Sequence, residues 1–484
     1  MDLLDRITAI WQPLVGVLTV IISALTSAHA ILHKRDSRAA ILWVGFIWLV
    51  PLLGPVLYLL LGINRIRRRA VSLRGNVGQS SGVATARPAL ITPADGLALD
   101  AMHLRSLAQL VGRVVGLPLS EGNSLQTLVN GDAAYPAMLS AIATASRTIS
   151  LSTYIFDNDA IGRSFVTALG DAVRRGVEVR VLIDDAGARY SWPSIVPPLR
   201  QAQVPVARFL PTFAPWRLMS MNLRNHRKIM VVDGRLGFTG GINIRQGNRV
   251  AERPRRPVQD LHFCLEGPVV AQLQETFAAD WAFVTKEVLR GQTWFPQLEG
   301  RGTIMARAIP DGPDEDFEKL RLTILGALAC AQTSIKILTP YFLPDPAIIS
   351  ALNVAALRGV RVDIILPRKN NLPFVHWASQ AMWWQVLQRG CHVWLTAPPF
   401  DHSKLMLVDG CWVLVGSANW DPRSFRLNFE FNLECYGREF AGHLESLVLS
   451  RLKTAHAVTL EEIDSRTLPS KLRDGVARLL TPYL

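Results

Sequence analysis

His226-Arg-Lys-Ile-Met-Val-Val-Asp233 recurs later in the chain as His402-Ser-Lys-Leu-Met-Leu-Val-Asp409. Each copy leads into a Gly-x-x-Asn stretch, and the distance from His to Asn is 17 residues in both (243 − 226 and 419 − 402). A single His-x-Lys-x4-Asp pattern is a weak signal in a chain of 484 residues. Two copies at matching positions of a repeat predict a site with a shared function.

The stretches before the two motifs repeat as well. Residues 148–156 lead through a helical stretch to 174–184, and residues 334–342 lead in the same way to 356–366. Each copy has the pattern of a strand, a helix, a glycine at the helix end and a β-branched strand, which is typical of a βαβ unit in a buried sheet. The sequence therefore predicts an α/β fold with two related domains, at 97–300 and 301–484.

The spacing within each motif indicates its chemistry. Side chains two apart on a strand point the same way, so each motif presents an imidazole and an ammonium to one side. The Asp-Gly after each apolar strand is typical of a hairpin, which gives the motif aspartates a mainly structural role. The candidate catalytic residues of the two motifs are His226, Lys228, Asp233, His402, Lys404 and Asp409.

Further polar residues extend both motifs. Asn243, Asn419 and Ser417 are candidate phosphate-binding residues, because they bring amide, hydroxyl and backbone donors to the site. Asp260 and Glu430 each precede a glycine by seven residues (267 − 260 and 437 − 430), so they occupy equivalent positions. A carboxylate on the outer ring nitrogen would fix the tautomer of each histidine, whereas the alternative is a solvated surface charge.

The candidate site has no carboxylate pair for Mg²⁺ and no Cys/His set for Zn²⁺. It has two cations and several donors for phosphate oxygens, together with one nucleophile and one acid. We therefore expect phosphate transfer without a metal or another cofactor.

Two uncharged runs near the amino terminus, 14–32 and 39–61, are each long enough to cross ~30 Å of hydrocarbon. They predict a two-helix transmembrane hairpin within residues 1–72, kinked at Pro51 and Pro55, and a Gly/Ser/Pro-rich linker at 73–96. A signal peptide is the alternative for the first run, and a shallow re-entrant pair for both. More positive charges flank the hairpin than lie in its loop, which predicts a multi-pass protein with cytoplasmic catalytic domains.

Composition agrees with a folded, membrane-associated protein. Apolar residues make up 49% of the chain and charged residues 19%, which excludes a largely disordered chain. The net charge of +13 indicates an anionic partner, either nucleic acid or lipid, and the hairpin favours lipid. The five scattered cysteines are interpreted as reduced thiols.

Two apolar stretches lie outside the motifs. Residues 213–219, which include Trp216, suit either a membrane interface and acyl-chain groove or a core loop, whereas 374–384 suit a core helix and loop.

The duplicated motif resembles that of the phospholipase D superfamily, and the chain is most similar to bacterial cardiolipin synthases. The resemblance includes residues 32–36, 51–55, 339–342, 416–424 and 427–430. It implies two α/β domains related by a pseudo-twofold, with one active site at their interface. It also implies that His226 is the nucleophile and His402 the acid, and that the protein resides in a bacterial inner membrane.

The expected activity is phosphatidyl transfer from one phosphatidylglycerol to another through a phosphohistidine, with release of glycerol. The alternatives are a hydrolytic phospholipase D and, in another class, a phosphodiesterase or binding protein for nucleic acid. Asp401, beside His402, is expected to perturb the pKa of that acid.

Overall fold

The computed structural model describes residues 3–34, 37–62, 99–211, 223–313 and 318–481. The chain forms two compact units, Met1–Arg69 and Ala70–Leu484. Three predicted features lie outside the described residues, namely the linker at 73–96, the positive charges that follow the second apolar run (Arg65, Arg67, Arg68 and Arg69) and the apolar stretch 213–219.

The amino-terminal unit is helical. Its elements are α1 (Leu3–His33), α2 (Ser37–Leu49), α3 (Leu53–Leu57) and a π-helical turn (Tyr58–Gly62). Within α1, Pro13–His33 is the one helix among the described residues that is long and apolar enough to cross a membrane. It coincides with the first predicted span.

The second apolar run, 39–61, does not form one helix. The chain bends at Val50 and turns at Pro51, where the missing amide hydrogen removes a helical hydrogen bond. Beyond the turn, α3 lies so close to α2 that a Cβ on Gly54 would be 2.7 Å from the Cα atom of Ile47. The predicted second span is therefore divided into α2 and α3.

The larger unit begins with a helical segment and the first repeat. Its elements are a 3₁₀ helix (Leu99–Leu104), α4 (Arg105–Val115), β1 (Ser120–Val129), α5 (Asn130–Thr144), β2 (Thr148–Thr153), α6 (Ala160–Arg174), β3 (Glu178–Asp184), α7 (Val196–Gln201), β4 (Val206–Phe209), β5 (Arg224–Asn225), β6 (Ile229–Val232), β7 (Leu236–Gly240), β8 (Val258–Gln259), β9 (Leu261–Glu266) and α8 (Val269–Thr285).

The second half of this unit repeats the order. Its elements are β10 (Ile304–Asp311), α9 (Lys319–Cys330), β11 (Ser334–Leu338), α10 (Pro346–Leu357), β12 (Arg361–Pro367), α11 (Pro373–Gln380), α12 (Trp384–Leu387), β13 (His392–Thr396), β14 (Phe400–Asp401), β15 (Leu405–Val408), β16 (Trp412–Gly416), α13 (Pro422–Arg426), β17 (Asn428–Tyr436), α14 (Arg438–Leu452), β18 (His456–Val458), α15 (Leu460–Asp464) and α16 (Leu468–Leu479).

One mixed sheet runs through both halves. Its strand order is β18-β13-β12-β11-β15-β16-β17-β10-β1-β9-β7-β6-β2-β3-β4. In the first half β2 pairs parallel with β3 and antiparallel with β6, and in the second half β11 pairs in the same way with β12 and β15. The α/β class predicted from the sequence is confirmed.

The helical segment before β1 belongs to the core of the second half. Leu104, Leu107 and Val111 are buried in one cluster with Leu320 and Ile324 of α9. The predicted boundaries at 97–300 and 301–484 stay a prediction, since α4 precedes one half in sequence and packs with the other.

All five cysteines are free thiols, as the sequence predicts, and three of them are buried in the core of the larger unit.

Candidate active site

The strand pattern places both motif histidines at the same kind of position. His226 precedes β6, which runs antiparallel to β2, so it lies at the carboxyl end of β2. His402 precedes β15, which runs antiparallel to β11, and lies at the carboxyl end of β11. In doubly wound sheets, ligand sites form at this end of the strands.

Reciprocal backbone pairing joins the two motifs. β5, just before His226, pairs with β17 of the second half, and the His226 amide donates to the carbonyl of Phe429 at 2.9 Å. β14, just before His402, pairs with β8 of the first half, and the His402 amide donates to the carbonyl of Gln259 at 2.7 Å. Each motif is therefore held by the opposite half, which builds one site from both.

The carboxylates also cross between halves. His226 Nδ1 lies 3.0 Å from Glu430 Oε2, and His402 Nδ1 lies 2.8 Å from Asp260 Oδ2. Both carboxylates are buried. A ring that donates from Nδ1 leaves Nε2 for chemistry, which is the arrangement expected of a nucleophile or an acid.

Burial controls the charge of the rings. It lowers the pKa of His226, against the opposing effect of Glu430. It lowers the pKa of His402 further, and the neighbouring Lys404 cation adds to the shift. Without a bound anion, both rings are therefore favoured in the neutral form.

The motif lysines lie beside the histidines. Lys228 Nζ donates to the carbonyl of His226 at 2.6 Å, and Lys404 Nζ donates to the carbonyl of His402 and lies 2.7 Å from its Nδ1. Burial lowers the pKa of Lys228 to about 7 and that of Lys404 to about 8. The Lys404 cation also lowers the pKa of Lys228, and both lysine cations lower the pKa of His402. Two ammonium groups thus share a site that gains stability from an anion.

Of the candidate phosphate-binding residues, Asn243 remains able to donate. Asn243 Oδ1 accepts from the Ile155 amide at 3.1 Å, which leaves its NH₂ group for a ligand. Asn419 is buried, and its Oδ1 makes no hydrogen bond within the described residues.

Ser417 has a different placement. Its hydroxyl donates to Glu430 Oε2 at 2.5 Å, and its carbonyl oxygen lies 3.2 Å from His226 Nδ1. The serine therefore supports the carboxylate that holds His226. This contact commits the hydroxyl proton, so the predicted phosphate contact would have to come from another atom of Ser417.

The motif aspartates lie at the opposite end of the hairpins. Asp233 accepts from the amides of residues 146–148 and from the Ser146 hydroxyl, at 2.7–3.3 Å. Asp409 accepts from the amides of residues 332–334 at 2.8–2.9 Å and lies 2.8 Å from His103 Nε2. Each aspartate fixes the start of a central strand, in line with its mainly structural interpretation.

The aspartates also form the predicted turns. Asp233 and Gly234 have φ of 51° and 63°, and Asp409 and Gly410 have φ of 52° and 62°. Two successive positive φ values are typical of the type I′ hairpin, which favours an Asp-Gly pair.

Charge pairs behind the histidines had no clear signal in the sequence. The buried Arg227 guanidinium lies 2.6 Å from Asp280 of α8 and donates to the carbonyl of Glu430 at 3.0 Å. Asp401 pairs with Arg451 of α14 at 2.6 Å and accepts from the Ser403 amide. Asp401 therefore has a cation as its partner. Its effect on the pKa of His402 stays a prediction.

Two tyrosine rings, which no motif in the sequence indicated, make T-shaped contacts with the histidine rings. The ring centroid of Tyr154 is 5.0 Å from that of His226, and Lys228 Nζ is 5.5 Å from the Tyr154 centroid. The Tyr341 centroid lies 6.2 Å from that of His402. These rings form apolar walls at the site.

Within the described part of the chain, no group of three or more His, Cys, Asp or Glu side chains is arranged to hold a metal ion. Metal-free chemistry stays a prediction.

Both units of the chain match models of known protein families. The family model described as "Cardiolipin synthase, PLD-like domain" matches residues 138–281 and 324–451, and the model "Phospholipase_D-nuclease N-terminal" matches residues 15–62. The two matches to the first model contain one motif each. The chain belongs to the phospholipase D-like cardiolipin synthase family.

Similarity to curated relatives extends along nearly the whole chain. It is 31% identical to a cardiolipin synthase of Geobacillus sp. (strain WCH70), over 98% of this chain and 95% of the relative. It is 33% identical to cardiolipin synthase A of Pseudomonas fluorescens (strain SBW25), over 96% of each chain.

A solved structure shares the fold. The crystal structure of a phosphatidylserine synthase from Haemophilus influenzae aligns with a TM-score of 0.61 and 15% identity, covering 78% of this chain and 100% of that one.

Proposed function

We propose that this protein is a phosphatidyltransferase that makes cardiolipin from two molecules of phosphatidylglycerol and releases glycerol. The observation that carries this proposal is the crossed pairing of two motif histidines with buried carboxylates from opposite halves, His226 with Glu430 and His402 with Asp260. It provides two imidazoles in one site, each with a fixed tautomer. The family relationship supplies the class of substrate.

In the first step, His226 Nε2 attacks the phosphorus of a donor phosphatidylglycerol. A P–N bond forms, the bond from phosphorus to the headgroup glycerol oxygen breaks, and His402 gives its Nε2 proton to that oxygen. The assignment of nucleophile and acid rests on the family resemblance. Glu430 stabilises the positive charge that develops on His226, and the bound phosphodiester favours a protonated His402.

In the second step, a hydroxyl of the acceptor phosphatidylglycerol attacks the phosphohistidine. His402 takes the hydroxyl proton, a P–O bond forms and the P–N bond breaks, which returns both histidines to their starting states. Transfer competes with hydrolysis by positioning, since a bound hydroxyl can reach an effective molarity of ~10⁵ M against ~55 M water.

Stabilisation of the phosphorus oxygens is the role proposed for the lysines and asparagines. Lys228 and Lys404 supply fixed cations, and Asn243 and Asn419 supply amide donors. Asp233 and Asp409 act indirectly, by fixing the strands that precede the motifs. Ser417 acts through Glu430.

The larger arrangement is proposed on the same basis. The matching strand pairings of the two halves support a pseudo-twofold relation between them. A helix of spanning length and the more positive flanks of residues 14–61 support a multi-pass protein of the bacterial inner membrane with a cytoplasmic site. In this proposal, α2 and α3 complete the hairpin as a broken second segment. Anionic phospholipid is the partner, and nucleic acid is not.

The test is product analysis with the detergent-purified full-length chain in vesicles of radiolabelled phosphatidylglycerol. We expect cardiolipin and free glycerol in equal amounts, and excess glycerol should convert cardiolipin back to phosphatidylglycerol. Phosphatidic acid as the main product at every lipid density, without an effect of glycerol, would identify a hydrolase.

Two controls complete this test. His456→Ala removes an exposed histidine that pairs with Glu462 rather than with a motif, and it should retain full activity. An excess of DNA should not compete with the lipid. Cleavage of the DNA, or its inhibition of lipid turnover at physiological salt, would favour a nucleic-acid phosphodiesterase.

A further inference from the structure

Two loops at the active site expose large apolar side chains. In the loop after β3, residues 185–195, Tyr190 is 63% exposed and Trp192 is 96% exposed. In the segment after β12, residues 368–374, Leu372 is 45% exposed and Phe374 is 55% exposed. We call these two segments the rim loops; the second includes the first two residues of α11. Exposed apolar side chains that cluster on a folded surface, unlike those scattered singly, mark a binding face.

The rim loops occupy equivalent positions in the two halves. β3 pairs with β2 from Thr148↔Glu178 onward, and β12 pairs with β11 from Ser334↔Arg361 onward. Both loops therefore leave the sheet at the carboxyl ends of the strands, the same end at which the histidines lie.

Contacts connect each rim loop to one histidine. The Tyr190 centroid lies 6.0 Å from that of Tyr154, which in turn covers His226. On the other side, Asn371 accepts from the Tyr341 hydroxyl at 2.8 Å, and Tyr341 covers His402. The exposed groups are thus next to the residues that wall the site.

The charge of the rim loops fits an anionic surface. Arg189, Arg368 and Lys369 are exposed, whereas the one acid in these segments, Asp185, is fully buried and pairs with Arg189 and with Arg208. No exposed carboxylate lies in residues 185–195 or 368–374. Aromatic side chains beside cations are typical of groups that reside at the headgroup level of a bilayer.

We propose that the rim loops insert into an anionic phospholipid bilayer on both sides of the active site. Trp192 with Tyr190 and Phe374 with Leu372 enter the boundary between headgroups and acyl chains, and the neighbouring cations contact lipid phosphates. The histidines then face the depth at which phosphodiesters lie, so that a lipid reaches them without leaving the membrane. This inference rests on the proposed function, since it takes phospholipid as the substrate.

The experiment compares two physical forms of one substrate. The full-length protein and the variants Trp192→Ala, Phe374→Ser and the double variant are assayed on phosphatidylglycerol vesicles and on a short-chain phosphatidylglycerol kept monomeric in solution. Total consumption of phosphatidylglycerol is the readout, because α1 would hold every variant on vesicles regardless of the loops. Leu357→Ser, at a residue 68% exposed on α10, is the matched control.

We expect the double variant to lose about tenfold or more on vesicles and to match the parent on the monomeric substrate. The control should be unchanged on both. Equal losses on both substrates would overturn the proposal in favour of a direct contact with substrate, and undiminished vesicle turnover would overturn it as well. A hydrolase would form phosphatidic acid in place of cardiolipin, but the ratio of vesicle turnover to monomer turnover would be the same. Failure of the proposed function is therefore recognised separately from failure of this inference.

A spectroscopic measurement tests insertion without turnover. Brominated lipids quench tryptophan fluorescence only at short range, so Trp192→Phe should remove part of the quenching seen with the parent protein in anionic vesicles. Identical fractional quenching in both proteins would contradict insertion of this loop.

Discussion

The two motif histidines share a sequence pattern but differ in what surrounds them. Behind His226, Glu430 accepts from Ser417 and from Asn428 Nδ2 at 3.0 Å. Behind His402, Asp260 accepts from the Leu261 amide at 2.8 Å, and the residue equivalent to Ser417 is Gly241. A Cβ at Gly241 would lie 2.2 Å from Asp260 Oδ1, so the glycine makes room for the carboxylate.

These surroundings shift the pKa values of the two carboxylates in opposite directions. Burial raises the pKa of Glu430, but the charges of His226 and Lys228 and the Ser417 hydrogen bond outweigh it and leave the pKa below its usual value. For Asp260, burial dominates and the pKa is raised. Pairs of acid–base groups with divergent environments are typical of sites in which one member is a nucleophile and the other an acid.

The comparison predicts its largest effect for the histidines themselves. His226→Ala and His402→Ala should each lower cardiolipin formation by about 10³-fold or more, because the two rings act as a unit. With a donor that carries a good leaving group, His402→Ala should still form the phosphohistidine slowly, whereas His226→Ala should not. Turnover and the trapped intermediate are measured on both variants. Full activity in either variant would be incompatible with a shared site.

Replacement of each carboxylate should lower kcat by a different amount. Glu430→Gln places an amide against three donors and should reduce kcat by about 10²–10⁴-fold. Asp260→Asn disturbs two donors and should cost less, about 10–10²-fold. Steady-state kinetics at a fixed lipid surface concentration decide between them. A larger loss in Asp260→Asn would show that the difference between the carboxylates has been misassigned.

The lowered pKa values of the motif lysines should appear in the pH dependence of kcat/KM. A lysine binds phosphate as a cation, which is present below its pKa and lost above it. His402 must be protonated and burial lowers its pKa, so kcat/KM already declines as pH rises. With Lys228 at a pKa of about 7 and Lys404 at about 8, a steeper alkaline limb should follow at about pH 7 to 8. Lys228→Arg, which stays charged, should lower the maximum but move this alkaline limb upward. An alkaline limb at the same pH in parent and variant would exclude Lys228 as its source.

The motif aspartates should have the smallest effect on catalysis. Asp233→Asn and Asp409→Asn remove acceptors for several amides and should each lower the free energy of unfolding by about 1–3 kcal/mol, while the folded fraction stays active. Asp409→Asn should cost more, since it also loses His103. Thermal unfolding and kcat measured on the same samples check this. A loss of kcat at unchanged stability would give the aspartates a direct catalytic role.

Much of the site could be predicted from local sequence. The matching spacing of the motifs gave two equivalent histidines with their lysines, Asp-Gly marked both hairpins, and the equivalent spacing of Asp260 and Glu430 indicated partners for the rings. The motifs and hairpins depend on residues close together in the chain, where spacing translates directly into geometry, whereas the two carboxylate positions follow from comparison of the two copies.

Other features depend on contacts between distant segments. Which carboxylate serves which histidine is decided by the pairing of β5 with β17 and of β8 with β14, each across more than a hundred residues. The packing of α4 with α9 is equally remote in sequence. The sequence predicted one second apolar helix with kinks at Pro51 and Pro55, whereas the turn at Pro51 and the close approach at Gly54 divide it into two helices.

The central claim, a covalent intermediate on one of two unequal histidines, is tested most directly by trapping it. Full-length protein is mixed with phosphatidylglycerol labelled at phosphorus, quenched within one turnover under alkaline conditions, digested and mapped. We predict an acid-labile label on the peptide that contains His226, and its absence in His226→Ala. A label on His402 instead, or cardiolipin formation with no protein-bound phosphorus at any time, would contradict this account.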